Sequence, residues 1–269
     1  MSLDIDNDNE VLSLSPKQKL ISKLIAISNF IAVLSVNLSE AFKLVVKQKQ
    51  IYKENFYEHF RRIVWTCLPI ATLTVSASSI VYSIHVAPEF AQRGLSVYLG
   101  GIVALALIRE GVPVMGTLAI VTQYCSGMTA QIGSMKVTDQ LDAMKMIKVY
   151  PSAFLLVPML MAGLVGFPLV IVICILSGLT INFFTSKFLI DISYTLYINS
   201  ILSAICVKDI FLAIVKASVF GFFVTLISYT CGILTQGGSK AVGNSTRLSV
   251  VINFALVIIL DYIITALWL

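Results

Sequence analysis

The residues with the most chemistry to offer are three ionisable side chains set inside apolar sequence. Arg109 and Glu110 interrupt the run from Leu95 to Ile132, and Asp261 interrupts the run from Ser249 to Trp268. A charge at the centre of a membrane helix costs about 2.5–3.5 kcal/mol even on the mildest insertion scale. Such a residue marks a transport pathway, a pairing partner, or both. Adjacent residues on a helix do not face each other, so Arg109 and Glu110 need separate partners. Arg109 offers a planar fork of donors suited to a phosphate group. Glu110 matches a basic group on another helix. Pro113 lies just beyond them and predicts a helix break that opens a polar niche. Apolar positions of the preceding segment, such as Leu73 and Ile80, are candidates to line an apolar region beside that niche. The competing reading of the three charges is structural, through interfacial snorkelling or interhelical pairing.

A second group of residues is polar rather than intramembrane. From Ser134 to Lys148 the chain reads S-M-K-V-T-D-Q-L-D-A-M-K-M-I-K. Thr138 suits an N-cap, and Asp139 and Asp142 then fall in the first helical turn, where carboxylates are favoured. Lys145 and Lys148 fall in the last turn, and Pro151 predicts the stop. Val137, Leu141 and Met144 make one narrow apolar stripe. A short amphipathic helix between two spans suits docking into a partner's groove. An ordinary solvated loop helix is the alternative.

Other chemistry is not supported. Gly232 to Lys240 reads G-I-L-T-Q-G-G-S-K, but Gly238 stands where a phosphate-binding loop needs Lys, and the segment follows an apolar run rather than a strand. No nucleophile elbow, zinc-protease motif or carboxylate pair occurs. Cys67, Cys125, Cys174, Cys206 and Cys231 are scattered through apolar runs and read as small buried side chains. No catalytic residue, metal site or cofactor is expected.

These residues must be positioned by membrane helices. The chain has 269 residues, 58% hydrophobic and only 12% charged, against about 25% charged in soluble domains. The expected fold is all-α: a polytopic helical membrane protein with five transmembrane helices, N-terminal interfacial amphipathic helices and a cytoplasmic coupling helix. The expected spans cover 63–86, 97–132, 151–178, 210–234 and 249–268. Residues 1–15, with Asp4, Asp6, Asp8 and Glu10, read as a disordered tail rather than a basic-headed signal. Residues 16–62 read as interfacial helices and a headgroup-level elbow, and 63–269 as the membrane domain. Thr180–Asp209 reads as external or interfacial helices, and Gln236–Arg247 as a polar loop. The run from Leu95 to Ile132 would make a helix of about 57 Å, so it must tilt, break or protrude. Placing Arg61, Arg62, Lys136, Lys145, Lys148, Lys240 and Arg247 inside satisfies the positive-inside rule, with the N-terminus inside and the C-terminus outside. The net charge of +5 matters through that topology, and no nucleic-acid partner is expected.

At Arg109, Glu110, Pro113, Ser126, Gly133, Met135, Lys136, Val137, Thr138, Gln140, Asp142, Ala143, Pro151 and Pro158 the chain resembles the MlaE/YrbE family. These are permease subunits of ABC-type lipid transporters that work with MCE proteins. The resemblance continues at Gly237, Gly238, Val242, Gly243, Thr246, Arg247, Asp261, Thr265, Ala266 and Leu267, and covers about residues 55–269. It implies coupling to a cytoplasmic ABC ATPase through Met135, Lys136, Val137, Thr138, Asp139, Gln140, Leu141, Asp142 and Met144. It implies a second permease copy, as a homodimer or with a heteromeric paralogue, and an MCE-domain protein on the outer side. The implied cargo is phospholipid or a related lipid, and the implied location is a bacterial inner membrane, with the chloroplast envelope as the alternative. The rival functions are a permease for another hydrophobic solute, such as a sterol-like lipid, and a non-transporting membrane anchor for the MCE partner. Gln123 and Gln131 stand where the family often carries Arg and Glu, so that charge pair is matched here by two neutral amides. Val112, Lys148, Tyr150 and Met159 are further departures.

Overall fold

The structure is a computed structural model that describes residues 28–37, 39 and 53–268. The tail expected over 1–15, and the greater part of the interfacial segment expected over 16–62, lie outside the described residues. Eight helices occur among the described residues: α1 (Ser28–Asn37), α2 (Lys53–Gln92), α3 (Ser96–Val137), α4 (Gln140–Met146), α5 (Ser152–Ile190), α6 (Tyr194–Ala204), α7 (Val207–Ile233) and α8 (Ser239–Trp268). Five of them, α2, α3, α5, α7 and α8, are long and apolar enough to cross a membrane.

The spans are longer than hydropathy alone predicts. α2 starts at Lys53 and continues through Pro88 to Gln92, beyond both ends of the span expected over 63–86. α5 runs on to Ile190, absorbing residues 180–190 that read as external. The polar loop expected over 236–247 is the opening of α8, which begins at Ser239. Polar residues do not stop a helix whose amides can bond along the chain. Hydropathy marks where the bilayer is, not where the helix ends.

α3 holds together where Pro113 predicts a break. The irregularity is a π-helical segment, Leu107–Gly111, after which Pro113 sits in the first turn of the resumed α-helix. Pro113 lies inside this continuous helix and has no amide hydrogen, so the helix passes through it at the loss of one backbone donor. A second π segment follows at Val121–Cys125, and α5 opens with another at Ser152–Leu156.

Two compact units share these helices. One comprises residues up to His59, Cys125–Met161 and Phe223–Asn253. Its polar core joins α3, α7 and α8: Thr129 Oγ1 lies 3.0 Å from the Ser228 carbonyl and 2.9 Å from Ser249 Oγ, and Asn253 Nδ2 donates to Ser228 Oγ at 2.8 Å. Hydrogen bonds between membrane helices contribute about 0.6 kcal/mol each on average. His59, expected at the headgroup interface, is buried in this unit.

The other unit comprises Phe60–Tyr124, Ala162–Phe222 and Phe254 onward. Small residues bring its backbones together. Gly101 donates its amide to Ser200 Oγ at 2.9 Å, and a Cβ there would lie 2.6 Å from the Ala204 Cβ. Gly221 of α7 packs directly on the Gly163 backbone of α5. Ser79, Ser83, Asn182 and Tyr197 form a polar ladder through α2, α5 and α6, with Asn182 Nδ2 to Ser83 Oγ at 2.6 Å and the Tyr197 hydroxyl to Asn182 Oδ1 at 2.9 Å. Thr72, Thr74 and Ser78 instead return their hydroxyls to carbonyls four residues back on their own helix. Gly221→Ala is expected to destabilise the purified protein by about 1–3 kcal/mol, since neither backbone can yield. An unchanged unfolding midpoint would show that α5 and α7 can separate freely.

Candidate functional site

The charged residues singled out from the sequence are brought together by one that was not. Lys216 lies on α7 in the run I-F-L-A-I-V-K-A-S-V, and its side chain is 0% exposed. Its Nζ sits 2.9 Å from Glu110 Oε2, 2.7 Å from Asp261 Oδ1 and 2.8 Å from the Arg109 carbonyl oxygen. A lysine ammonium has three donors, so these three acceptors satisfy it. Thr265, one turn beyond Asp261 on α8, donates to the other Glu110 oxygen at 3.0 Å. The cluster therefore ties α3, α7 and α8 within one unit. The sequence signal for Lys216 was the one that marked Glu110: a single charge in apolar surroundings.

Arg109 points to a different partner, as its adjacency to Glu110 requires. Its Nη2 and Nε both lie 2.7 Å from Asp209 Oδ1. Asp209 Oδ2 accepts the Cys206 amide at 2.9 Å, which seats the carboxylate at the N-terminal end of α7, where the helix dipole favours negative charge. Sequence reading had put Asp209 at the end of external or interfacial helices, yet its side chain is only 3% exposed while that of Arg109 is 45% exposed. The pairing reading of the three charges is thus the geometry found. The guanidinium is anchored at one edge and open at another, an arrangement that still admits an anion. Leu73 and Ile80 lie exposed on α2. In the same unit, an open groove of about 570 Å³ is lined by Val207, Lys208, Phe211, Leu267 and Trp268. Its apolar walls and single cation suit an amphiphile.

The second candidate site lies in the other unit, and its helix differs from expectation. Thr138 is not an N-cap: it follows the end of α3 and donates its hydroxyl to the Ser134 carbonyl at 2.9 Å. Asp139 holds the cap position of α4 with φ 56°, a left-handed turn that Asp tolerates better than most residues. The helix ends at Met146, and Lys148, at φ 61°, lies past it. The left-handed Lys148 turns the chain before Pro151 is reached, so Pro151 is not the stop. Asp142 links Lys136 at 2.9 Å and Lys145 at 2.8 Å. These bonds, the one from Lys145 first, pull its carboxyl down to about 2. The sign follows directly: a depressed carboxylate contributes above its unfolded value and the contribution is lost as pH falls through about 2. The Asp142 links therefore persist throughout the neutral range.

The expected docking stripe is redistributed. Leu141 is 2% exposed in the chain alone, so it anchors α4 rather than facing outward. Met135, Lys136, Val137 and Met144 are half-buried, and Gln140 is exposed. The apolar surface left open belongs to Met146 and Ile147, 85% and 72% exposed, and to Tyr150. A stripe at helical spacing faces whatever lies nearest, and for Leu141 that is its own chain.

Five crossing helices, with an ionic cluster buried among three of them, define a polytopic helical membrane protein. The particular relationship follows from comparison with known proteins: the Permease MlaE family matches residues 56–267, and the chain belongs to that family of ABC transporter permeases. It is 31% identical over 226 residues to a probable ABC transporter permease protein of Synechocystis, covering 84% of this chain and 85% of that one. It is 28% identical to the chloroplastic protein TRIGALACTOSYLDIACYLGLYCEROL 1 of Arabidopsis thaliana, covering 83% of this chain and 64% of that one. A probable ABC transporter permease protein of Rickettsia typhi is 26% identical over 91% of this chain and 90% of its own length.

Proposed function

We propose that the protein is the membrane subunit of a transporter that moves phospholipid or a related lipid between its membrane and an MCE-type partner on the outer side. Two permease copies and a separate cytoplasmic ABC ATPase complete the assembly, and the membrane is a bacterial inner membrane. Family membership supports the permease role, and the galactolipid in the Arabidopsis relative's name supports a lipid cargo. The observation that carries the reading is Arg109: a cation in an apolar helix, anchored by Asp209 yet 45% exposed. One edge of the guanidinium holds the protein together and another takes a lipid phosphate. Leu73 and Ile80 line the acyl region. In this reading residues 63–269 form the permease domain.

The test is ATP-driven lipid transfer by the reconstituted assembly. Arg109→Ala alone strands a buried carboxylate, so the pair Arg109→Gln/Asp209→Asn is used. It is expected to lower transfer of anionic phospholipid by about tenfold, the loss of one charge-assisted contact, with ATPase binding intact. Normal transfer by that pair rejects the Arg109 role. ATP-dependent transfer by the unaltered assembly separates a transporter from a mere anchor.

The orientation has its own test. The basic residues Lys136, Lys145, Lys148, Lys240 and Arg247 all belong to the unit that contains α4, which supports a cytoplasmic placement. A cysteine at position 240, in a background without the native cysteines, is expected to resist impermeant labelling in intact cells. Ready labelling from outside reverses the topology.

A further inference from the structure

Two prolines in this chain follow π-helical segments at the same spacing. Pro113 is the second residue after Leu107–Gly111, and Pro158 is the second residue after Ser152–Leu156. In a helix that has returned to regular register, the amide of residue i bonds the carbonyl of residue i−4. Proline has no amide hydrogen. Pro113 therefore offers no amide hydrogen to the carbonyl of Arg109, and Pro158 offers none to that of Phe154, in each case the third residue of the π segment.

Each of these carbonyls accepts from a side chain on another helix. The Lys216 ammonium of α7 donates to the Arg109 carbonyl at 2.8 Å. The Asn55 amide of α2 donates to the Phe154 carbonyl at 3.0 Å. The two contacts lie in different units and involve chemically different donors. The element they share is the vacancy that proline leaves. A carbonyl without a partner is strongly disfavoured in a water-poor interior, so each position left by proline is an acceptor of fixed place and direction, which a neighbouring helix can engage.

We infer that Lys216 is a positioning residue that takes the place of the missing Pro113 amide hydrogen and so fixes the π segment bearing Arg109 and Glu110. Its ion pairs with Glu110 and Asp261 supply attraction, while its bond to the backbone supplies register. An ion pair alone leaves the carboxylate free to swing on its side chain. A bond to the carbonyl fixes the segment that sets the directions of both Arg109 and Glu110. Asn55 plays the equivalent part for α5 without any charge.

Arg-Glu occurs once in the sequence, at Arg109–Glu110. Labelling arginine carbonyls with carbon-13 and glutamate amides with nitrogen-15 therefore isolates one signal in the full chain in bilayers. Nitrogen-15 at lysine Nζ is expected to dephase that carbonyl in the unaltered protein, and absence of dephasing overturns the inference without any variant. Lys216→Met is expected to shift the carbonyl signal toward that of an unbonded carbonyl. Adding Pro113→Ala, which restores an amide donor, is expected to bring it back. A signal unmoved by Lys216→Met, or not recovered with Pro113→Ala, assigns Lys216 to ion pairing alone. The transfer assay adds a functional readout that rests on the lipid reading above: Lys216→Met is expected to lower transfer about tenfold less in the Pro113→Ala background than in the unaltered one. Equal losses in the two backgrounds overturn the positioning role. An unaltered assembly that moves no lipid defeats the functional reading and leaves the carbonyl measurements to decide this one. Should Lys216→Met not fold, the dephasing measurement on the unaltered chain decides the inference by itself.

Discussion

Lys216→Met is expected to destabilise the protein by about 3–5 kcal/mol, the cost of leaving buried charge without its partner. The methionine fills similar volume, so the loss is electrostatic rather than a cavity. Glu110 and Asp261 would then face each other across the space that the ammonium occupied, with only Thr265 donating to Glu110. The purified chain should unfold at a much lower temperature. Adding Glu110→Gln and Asp261→Asn should recover most of that loss, because a neutral cluster strands no charge. If Lys216→Met unfolds at the original temperature, the ammonium does not hold α3, α7 and α8 together. If the triple variant is no better than the single one, the contribution is packing and not charge.

The second large effect concerns the face of α4. Ile147→Glu is expected to weaken association with the ATPase subunit by about a hundredfold. Forcing an unpaired carboxylate into an apolar groove costs a few kcal/mol, and each 1.4 kcal/mol is tenfold. The permease itself should fold normally, because Ile147 is 72% exposed in the chain alone. Leu141→Glu should do the reverse: it disturbs the permease's own packing, because Leu141 is buried there. Unchanged ATPase titration by Ile147→Glu moves the docking contact off this surface.

The sequence made the helical class and the number of spans legible because hydrophobicity over some twenty residues is a strong, local signal. Helix ends were less so. Thr180 to Ile190 continues α5 and the polar run Ser239 to Arg247 opens α8, since backbone hydrogen bonding continues past the apolar stretch. Glu110 and Asp261 stood out, but the residue that joins them did not, because pairing across about a hundred residues leaves no local pattern. Asp209 looked solvated beside Lys208, yet a buried guanidinium contact and a helix N-terminus hold it. Leu141 shows the limit of periodicity: spacing identified an apolar face without indicating which neighbour covers it.

The buried lysine also constrains how the chain is made. Glu110 leaves the ribosome 106 residues ahead of Lys216, and Asp261 follows Lys216 by a further 45. At about 5–20 residues per second, α3 waits roughly 5–20 seconds in or beside the translocon before its counter-charge is synthesised. During that interval its carboxylate stays near water or borrows a partner from the insertion machinery. Membrane entry of α3 is therefore provisional until α7 arrives, and a nascent chain halted between the two is a natural target for quality control.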